Sequence, residues 1–178
     1  MEELSLHILD VAENSITAGA RCVQIAVRED LPSDTLEIEI TDDGQGMDAA
    51  TCRRSLDPFF TSRTVRRVGL GLPMFREAAR RAGGELTVTS APGRGTQVRV
   101  IFQHSHIDRQ PLGDMQTTLV TLIVGHPEVR FRFRHRKDGH EVALDTADLE
   151  TDEALSAHDA AGRARWVRNH LRTVYRHL

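Results

Sequence analysis

The chain runs one pattern twice: a segment of helical periodicity, then a pair of segments in which apolar and polar residues alternate. In the first copy Leu4, Ile8, Val11, Ala12 and Ile16 recur at helical spacing, while Asp10, Asn14 and Thr17 fall on another face. Gly19-Ala20 ends that helix, after which 23–27 and 36–40 alternate with period two around a Pro32-Ser33-Asp34 turn. In the second copy 73–82 reads as a helix closed by Gly83-Gly84, followed by strands over 85–90 and 97–102 joined across Ala91-Pro92-Gly93-Arg94-Gly95. Each helix has one apolar stripe and each hairpin one apolar face, so the pattern predicts a mixed sheet carrying its helices on one side. Between the copies, 42–46 is a glycine-containing loop and 49–56 a short helix. The stretch 58–71 has neither period and is expected to be a long, lid-like loop.

With 178 residues, 39% of them hydrophobic and 28% charged, the chain suffices for one globular domain plus an appendage. Its formal charge of −3, with both signs interspersed, offers no basic face, so nucleic acid is not expected as a partner. No apolar run is long enough to span a bilayer, so no membrane partner is expected either. Cys22 and Cys52 carry no pairing signature, and the expected compartment is a reducing cytoplasm. The single lysine, Lys137, follows no glycine-rich phosphate loop. Phosphate binding of the P-loop or eukaryotic protein-kinase kind is thereby excluded.

Four short segments carry chemistry. In Asp42-Asp43-Gly44-Gln45-Gly46-Met47 a carboxylate at a strand end precedes two glycines, so backbone can approach a flat base while Asp42 accepts a hydrogen bond from an exocyclic amine. An adenine amino group meets that requirement and a guanine O6 is repelled by it. In Val68-Gly69-Leu70-Gly71-Leu72-Pro73 the glycines sit directly before a helix whose first N–H groups suit phosphate oxygens. Asp10 and Asn14, one helical turn apart, can offer an amide oxygen to Mg²⁺ and a carboxylate to a water beside it. In Gly93-Arg94-Gly95-Thr96 the hydroxyl of Thr96 can reach a base edge.

Taken in order, Asp10-Val-Ala-Glu-Asn14, Asp42-Asp-Gly-Gln-Gly46, Asp57-Pro-Phe-Phe-Thr61, Gly69-Leu-Gly-Leu72 and Gly93-Arg-Gly-Thr96 resemble the five conserved boxes of the histidine-kinase/gyrase/Hsp90/MutL ATPases. The resemblance covers roughly residues 1–102. It implies the Bergerat ATP-binding fold, a two-layer α/β (α+β) sandwich with a mixed, mostly antiparallel sheet, as domain 1–103, followed by a small α/β appendage over 104–178. It further implies ATP and Mg²⁺ as cofactors, with Asp42 on the adenine amine and Gly44, Gly46, Met47 and Thr96 about the base. Asn14 would bind the metal, Gly69, Leu70, Gly71 and Leu72 the phosphates through backbone, and Thr61, Ser62 and Arg63 would lie in the lid over the γ-phosphate. Asp10 occupies the position of the catalytic base, where hydrolysing relatives carry glutamate; Glu13 points about a quarter turn away.

The Asp-Pro-Phe-Phe and Gly-Leu-Gly-Leu boxes resemble the kinase branch, whereas Glu13-Asn14-Ser15 with Ala18-Gly19-Ala20 resembles the mismatch-repair branch. Only nine residues precede Asp10, so the phosphoacceptor hairpin of a sensor kinase is not expected, and His7 is expected to be structural. The first strand that commonly precedes this helix in sensor kinases is also missing. Another part of the chain, or a second subunit in a homodimer, is therefore expected to fill that sheet edge. Beyond 103 the pattern gives a helix over 115–124, a hairpin over 129–144 turning at Asp138-Gly139, and a helix from about Ala161 with Trp166, Val167, Leu171 and Val174 as a packing face. His104 and His106 read as surface histidines, and no structural zinc is expected. The segments Ser105-His106-Ile107-Asp108-Arg109 and Pro111-Leu112-Gly113-Asp114 resemble stand-alone ATP-binding proteins associated with iron-hydrogenase gene clusters, which implies a redox-linked protein partner or phosphoacceptor. Three functions fit: a regulatory kinase acting on a separate protein, a switch ATPase, and a nucleotide-sensing adaptor without turnover.

Overall fold

The structure is a computed structural model that describes residues 3–57, 71–149 and 160–174, with side chains of the last helix described as far as Arg172. The elements, in chain order, are α1 (Leu4–Thr17), β1 (Cys22–Asp30), β2 (Thr35–Asp42), α2 (Ala49–Arg54), α3 (Gly71–Arg81), β3 (Glu85–Ser90), β4 (Thr96–Gln103), α4 (Met115–Gly125), β5 (Arg130–Lys137), β6 (His140–Asp145) and α5 (Ala160–Val174), with a 3₁₀ turn at Thr146–Leu149 before α5. The strands form one sheet in the order β3-β4-β2-β1-β5-β6. All neighbours are antiparallel except β1 and β5. This is the mixed, mostly antiparallel sheet that the sequence leads one to expect.

Period two decides which face is covered. Val23, Ile25 and Val27 of β1, Leu36, Ile38 and Ile40 of β2, and Val98, Val100 and Phe102 of β4 all point to the helical side and are buried. Leu4, Ile8, Val11 and Ala12 of α1 and Phe75, Ala78 and Ala79 of α3 close over them. His7 belongs to this layer: it is buried and stacks on Phe75 with ring centroids 5.0 Å apart, while its Nε2 meets Gln110 at 3.2 Å. The other face is polar and open. A cavity of about 500 Å³ there is lined by Glu39, Thr41, Arg132 and Arg134 among others, and both arginines are already paired, to Asp145 at 3.3 Å and Glu141 at 3.4 Å.

The edge beside β1 is filled by the chain itself. Cys22–Glu29 of β1 run parallel to Arg130–Lys137 of β5, so the C-terminal hairpin continues the sheet. Its apolar residues Phe131, Phe133, Val142 and Leu144 extend the same buried face. The connection from β4 returns to the start of α1, where Leu4 N–H donates to Pro111 O at 3.0 Å and Ser5 N–H to Leu112 O at 2.8 Å. A helix start leaves such N–H groups unpaired, and Glu3 provides no side-chain cap, so the connecting segment takes that role. α4 then packs on α1, and α5 packs on α4 and β6 through Trp166, Val167 and Leu171.

At the far end of the sheet Glu29 holds the hairpin through polar contacts. Its Oε1 lies 2.9 Å from His135 Nε2 on β5 and its Oε2 2.8 Å from His104 Nε2, with Lys137 Nζ 3.9 Å away. Burial pushes the His135 ring below its ordinary pKa, against the pull of Glu29. Burial would raise Glu29, but the bonds from His104 and His135 outweigh it and hold the carboxyl below its usual range. Both groups are therefore harder to protonate folded than unfolded, so their stabilising effect is present above the unfolded values and is lost as pH falls. The loss begins below about 6.5, the ordinary histidine value. Hydrogen-exchange protection factors along β5, taken relative to the slower intrinsic exchange at lower pH, are expected to fall between pH 7 and pH 5 more than those along β4.

Candidate functional site

At the C-terminal end of β2, Asp42 points to the helical side and is 8% exposed. Oδ2 accepts from Ser15 Oγ at 2.7 Å, and Oδ1 accepts from Gly44 N–H at 2.9 Å and Thr96 N–H at 3.2 Å. Asp42 and Thr96 are direct partners in the β2–β4 ladder, so the second glycine turn delivers Thr96 beside the carboxylate. The two turns lock backbone to backbone: Gly93 N–H donates to Gln45 O at 2.7 Å, and Gln45 N–H to Ala18 O at 3.0 Å at the end of α1. Gly46 (φ +67°) and Gly95 (φ +74°) adopt backbone conformations open to glycine, and a Cβ on either would land on the facing carbonyl, of Ala91 and Asp42 respectively. A Cβ on Gly44 would crowd both Ala18 O and the Asp42 carboxylate at 3.0 Å. Met47 N–H is held by Ser90 Oγ at 2.8 Å. Asp42, Gly44, Gly46, Met47 and Thr96 thus form one neighbourhood.

The second neighbourhood is where α3 begins. A Cβ built on Gly71 would meet Asp10 Cβ at 3.2 Å, Asn14 Nδ2 at 3.6 Å and Asp10 Oδ2 at 3.8 Å. The exposed stripe of α1 therefore faces α3 at Gly71, the first described residue of that helix. Leu72 follows it, partly buried against the core. An amide and a carboxylate bearing hard oxygen donors, beside the N-terminal part of a helix, match the chemistry of Mg²⁺ and phosphate, and the space a Cβ would fill at position 71 leaves backbone open to approach. Glu13 turns away from this place: its Oε1 meets His126 Nε2, at the end of α4, at 3.0 Å. Thr61, Ser62, Arg63, Gly69 and Leu70 lie outside the described residues.

Three residues of this region went unread in the sequence. Ser15 holds Asp42 and Ser90 holds Met47 N–H by a hydroxyl, and Asp43 Oδ1 accepts from Arg21 N–H at 2.8 Å and Cys22 N–H at 2.9 Å, tying the loop to the start of β1. Asp43 carried a signal as the second carboxylate of an Asp-Asp-Gly turn, and Ser15 only as the end of the Glu13-Asn14-Ser15 match, which did not point to Asp42. His104 and His106 are engaged separately, with Glu29 and with Asp108 N–H. Among the described residues no group of three His, Cys, Asp or Glu side chains is placed to hold a metal ion.

Residues 2–106 match the histidine kinase-, DNA gyrase B- and HSP90-like ATPases, and the chain belongs to that family. It is 38% identical over 95 residues to the sensor protein kinase FleS of Pseudomonas aeruginosa, which takes in 53% of this chain and 23% of that protein. It is 32% identical over 73 residues to the sensor histidine kinase YxdK of Bacillus subtilis, covering 39% of this chain and 22% of that one. The chain therefore spans less than a quarter of these curated relatives. Among solved structures it is similar to the N-terminal domain of a DNA repair protein, with TM-score 0.59 and 17% identity, covering 82% of this chain and 53% of that one. That likeness is one of fold, and it takes in more of the chain than the family match does. The protein thus carries a kinase-like, ATP-binding ATPase domain, and no helix among the described residues is long and apolar enough to cross a membrane.

Proposed function

We propose that the chain is a regulatory kinase that binds Mg·ATP and passes the γ-phosphate to a separate protein. The observation that carries this reading is the convergence of Asp10 and Asn14 on α3 at Gly71, one helix away from the Asp42–Thr96 pocket. Adenine in that pocket directs the phosphates toward α3, whose N–H groups and dipole favour them. Asn14 would hold the Mg²⁺, which when bound offsets the phosphate charge. Asp10 would take the proton of the attacking serine hydroxyl, histidine ring or water as the bond to the γ-phosphorus forms. The bond from that phosphorus to the bridging oxygen then breaks, and its electron pair leaves with ADP. The relatives named as sensor kinases support transfer to protein. The resemblance of 105–114 to redox-linked proteins makes a hydrogenase or other redox system the first place to seek the acceptor.

The second reading, a switch ATPase, is favoured by one contact. α4 lies on α1, and His126 at its end bonds Glu13, the residue next to Asn14. A change at the nucleotide helix is thereby felt directly in the C-terminal segment. A time course with γ-labelled Mg·ATP, counting free phosphate and protein-bound label separately, distinguishes the two. Label on protein supports the kinase; phosphate release that needs Asn14 supports the switch. Neither, with ATP bound, leaves a nucleotide sensor or a kinase without its partner. Asp10→Asn is expected to lower turnover by about 10²–10³-fold with binding nearly unchanged. Asn14→Ala is expected to remove turnover and the Mg²⁺ dependence of binding together. Turnover unchanged in Asp10→Asn would remove Asp10 from the mechanism.

A further inference from the structure

Ser90 closes β3 on the inner side of the pocket, and its hydroxyl meets three groups at once. Oγ lies 2.8 Å from Met47 N, 2.9 Å from Gly95 O and 3.0 Å from Thr96 Oγ1. A serine hydroxyl has one proton to give and two lone pairs to receive with. The Met47 N–H can only donate, so it occupies one lone pair. The Gly95 carbonyl can only accept, so it takes the proton. For the third contact to be a hydrogen bond its proton has to come from Thr96. The Thr96 hydroxyl is then committed as a donor to Ser90, and only its lone pairs remain for anything else in the pocket.

The same inventory can be made for Asp42, the ladder partner of Thr96. A carboxylate has about four lone-pair sites. Ser15, Gly44 N–H and Thr96 N–H occupy three of them, two on Oδ1 and one on Oδ2. One acceptor position is left, on Oδ2. Two neighbouring strand ends therefore confront a base with acceptors and no donor. An exocyclic amine brings two hydrogens to such a place, whereas a carbonyl would set lone pairs against lone pairs, with no donor to relieve them.

We propose that Ser90 is a specificity-determining positioning residue: by taking the proton of Thr96 it fixes the polarity of that hydroxyl and makes the pocket select a 6-aminopurine over a 6-oxopurine. Ser90 acts through Thr96 and need not touch the nucleotide. Without its hydroxyl, Thr96 is free to rotate and donate, so a 6-oxo group gains a partner. The proposal rests on the reading of this pocket as the adenine site and adds to it the source of base discrimination.

The test is calorimetric titration of the full chain with Mg·ATP and with Mg·ITP, which differ in the group at the purine 6-position and in the proton that hypoxanthine carries on N1. The wild type is expected to bind ATP about 100-fold more tightly than ITP, as a site built around hydrogen bonds rejects a mismatched partner. In Ser90→Ala that ratio is expected to fall about 10-fold, the size of one hydrogen bond's worth of discrimination. A weakening of both nucleotides by the same factor would make Ser90 a mere prop for Met47 and Gly95 and would overturn the proposal, as would an unchanged pair of affinities. Thr96→Val gives an independent check should Ser90→Ala not fold: with the acceptor gone, ATP loses affinity and ITP does not, so the ratio falls again. A ratio unchanged in Thr96→Val would equally overturn the proposal. A wild type that binds both nucleotides alike refutes the role of Ser90 alone. A wild type that binds neither refutes the ATP reading itself, and the proposal with it.

Discussion

Replacing Asp42 by alanine is expected to weaken Mg·ATP binding by at least about 100-fold and to lower the unfolding temperature as well. The carboxylate is the common acceptor for Ser15, Gly44 N–H and Thr96 N–H. Ser15 can turn to Val11 O, already 3.2 Å from its Oγ, but the two backbone N–H groups have no such alternative. Each stranded donor costs about 1–3 kcal/mol. Asp42→Asn separates the two consequences. Its amide oxygen can still accept from Gly44 and Thr96, while its NH₂ can face the Ser15 oxygen. That variant is therefore expected to fold nearly as well as the wild type and yet present a donor where an adenine amine needs an acceptor. Titration with Mg·ATP beside thermal unfolding reads both effects. Asp42→Asn binding ATP as tightly as the wild type would remove Asp42 from the base site.

The second large effect is expected at Gly46 and Gly95. Both combine a positive φ with a facing backbone carbonyl where a Cβ would stand. The side chain cannot be accommodated by a rotamer change, because the obstacle is main chain, and the two turns would have to separate. Gly93 provides the internal control: its φ is +73°, but a Cβ there meets open space. Gly93→Ala is expected to cost only the left-handed strain, about 1–2 kcal/mol. Gly46→Ala and Gly95→Ala are each expected to exceed it by at least about 2 kcal/mol, since main chain itself has to move. Urea unfolding ranks the three. Equal losses at all three positions would mean that the turns are not clamped together.

The site was legible where residue type dictates backbone. Gly46 and Gly95 announce close approach because no other residue supports it, and a carboxylate at the end of a period-two strand announces an acceptor on the buried side. Ser15 and Ser90 were illegible for the opposite reason. A serine after a helix asparagine or before a turn is ordinary, and its importance lies in partners 27 and 43 residues away that spacing does not reveal. The layered fold followed from periodicity, and α3 is already helical at Gly71 and Leu72, where glycine and leucine carry no helix signal of their own. The pairing of β1 with β5 was beyond periodicity altogether. Arginines alternating with Phe131, Phe133 and His135 over 130–136 predict a half-buried strand, but not which neighbour it will choose.

That parallel pairing also sets an order of events. β1 is complete at Asp30, but the strand that covers its edge ends at Lys137, so during synthesis the nascent sheet waits for more than a hundred further residues before its edge is closed. Contacts so distant along the chain close slowly, and an uncovered strand is a template for joining another chain. A fragment cut after β4 would keep Asp10, Asn14, Asp42, Gly71 and Thr96 and leave β1 bare. Residues 130–137, far from the ATP-binding family boxes in sequence, therefore govern whether the edge of the ATP-binding domain is covered or left open to another chain.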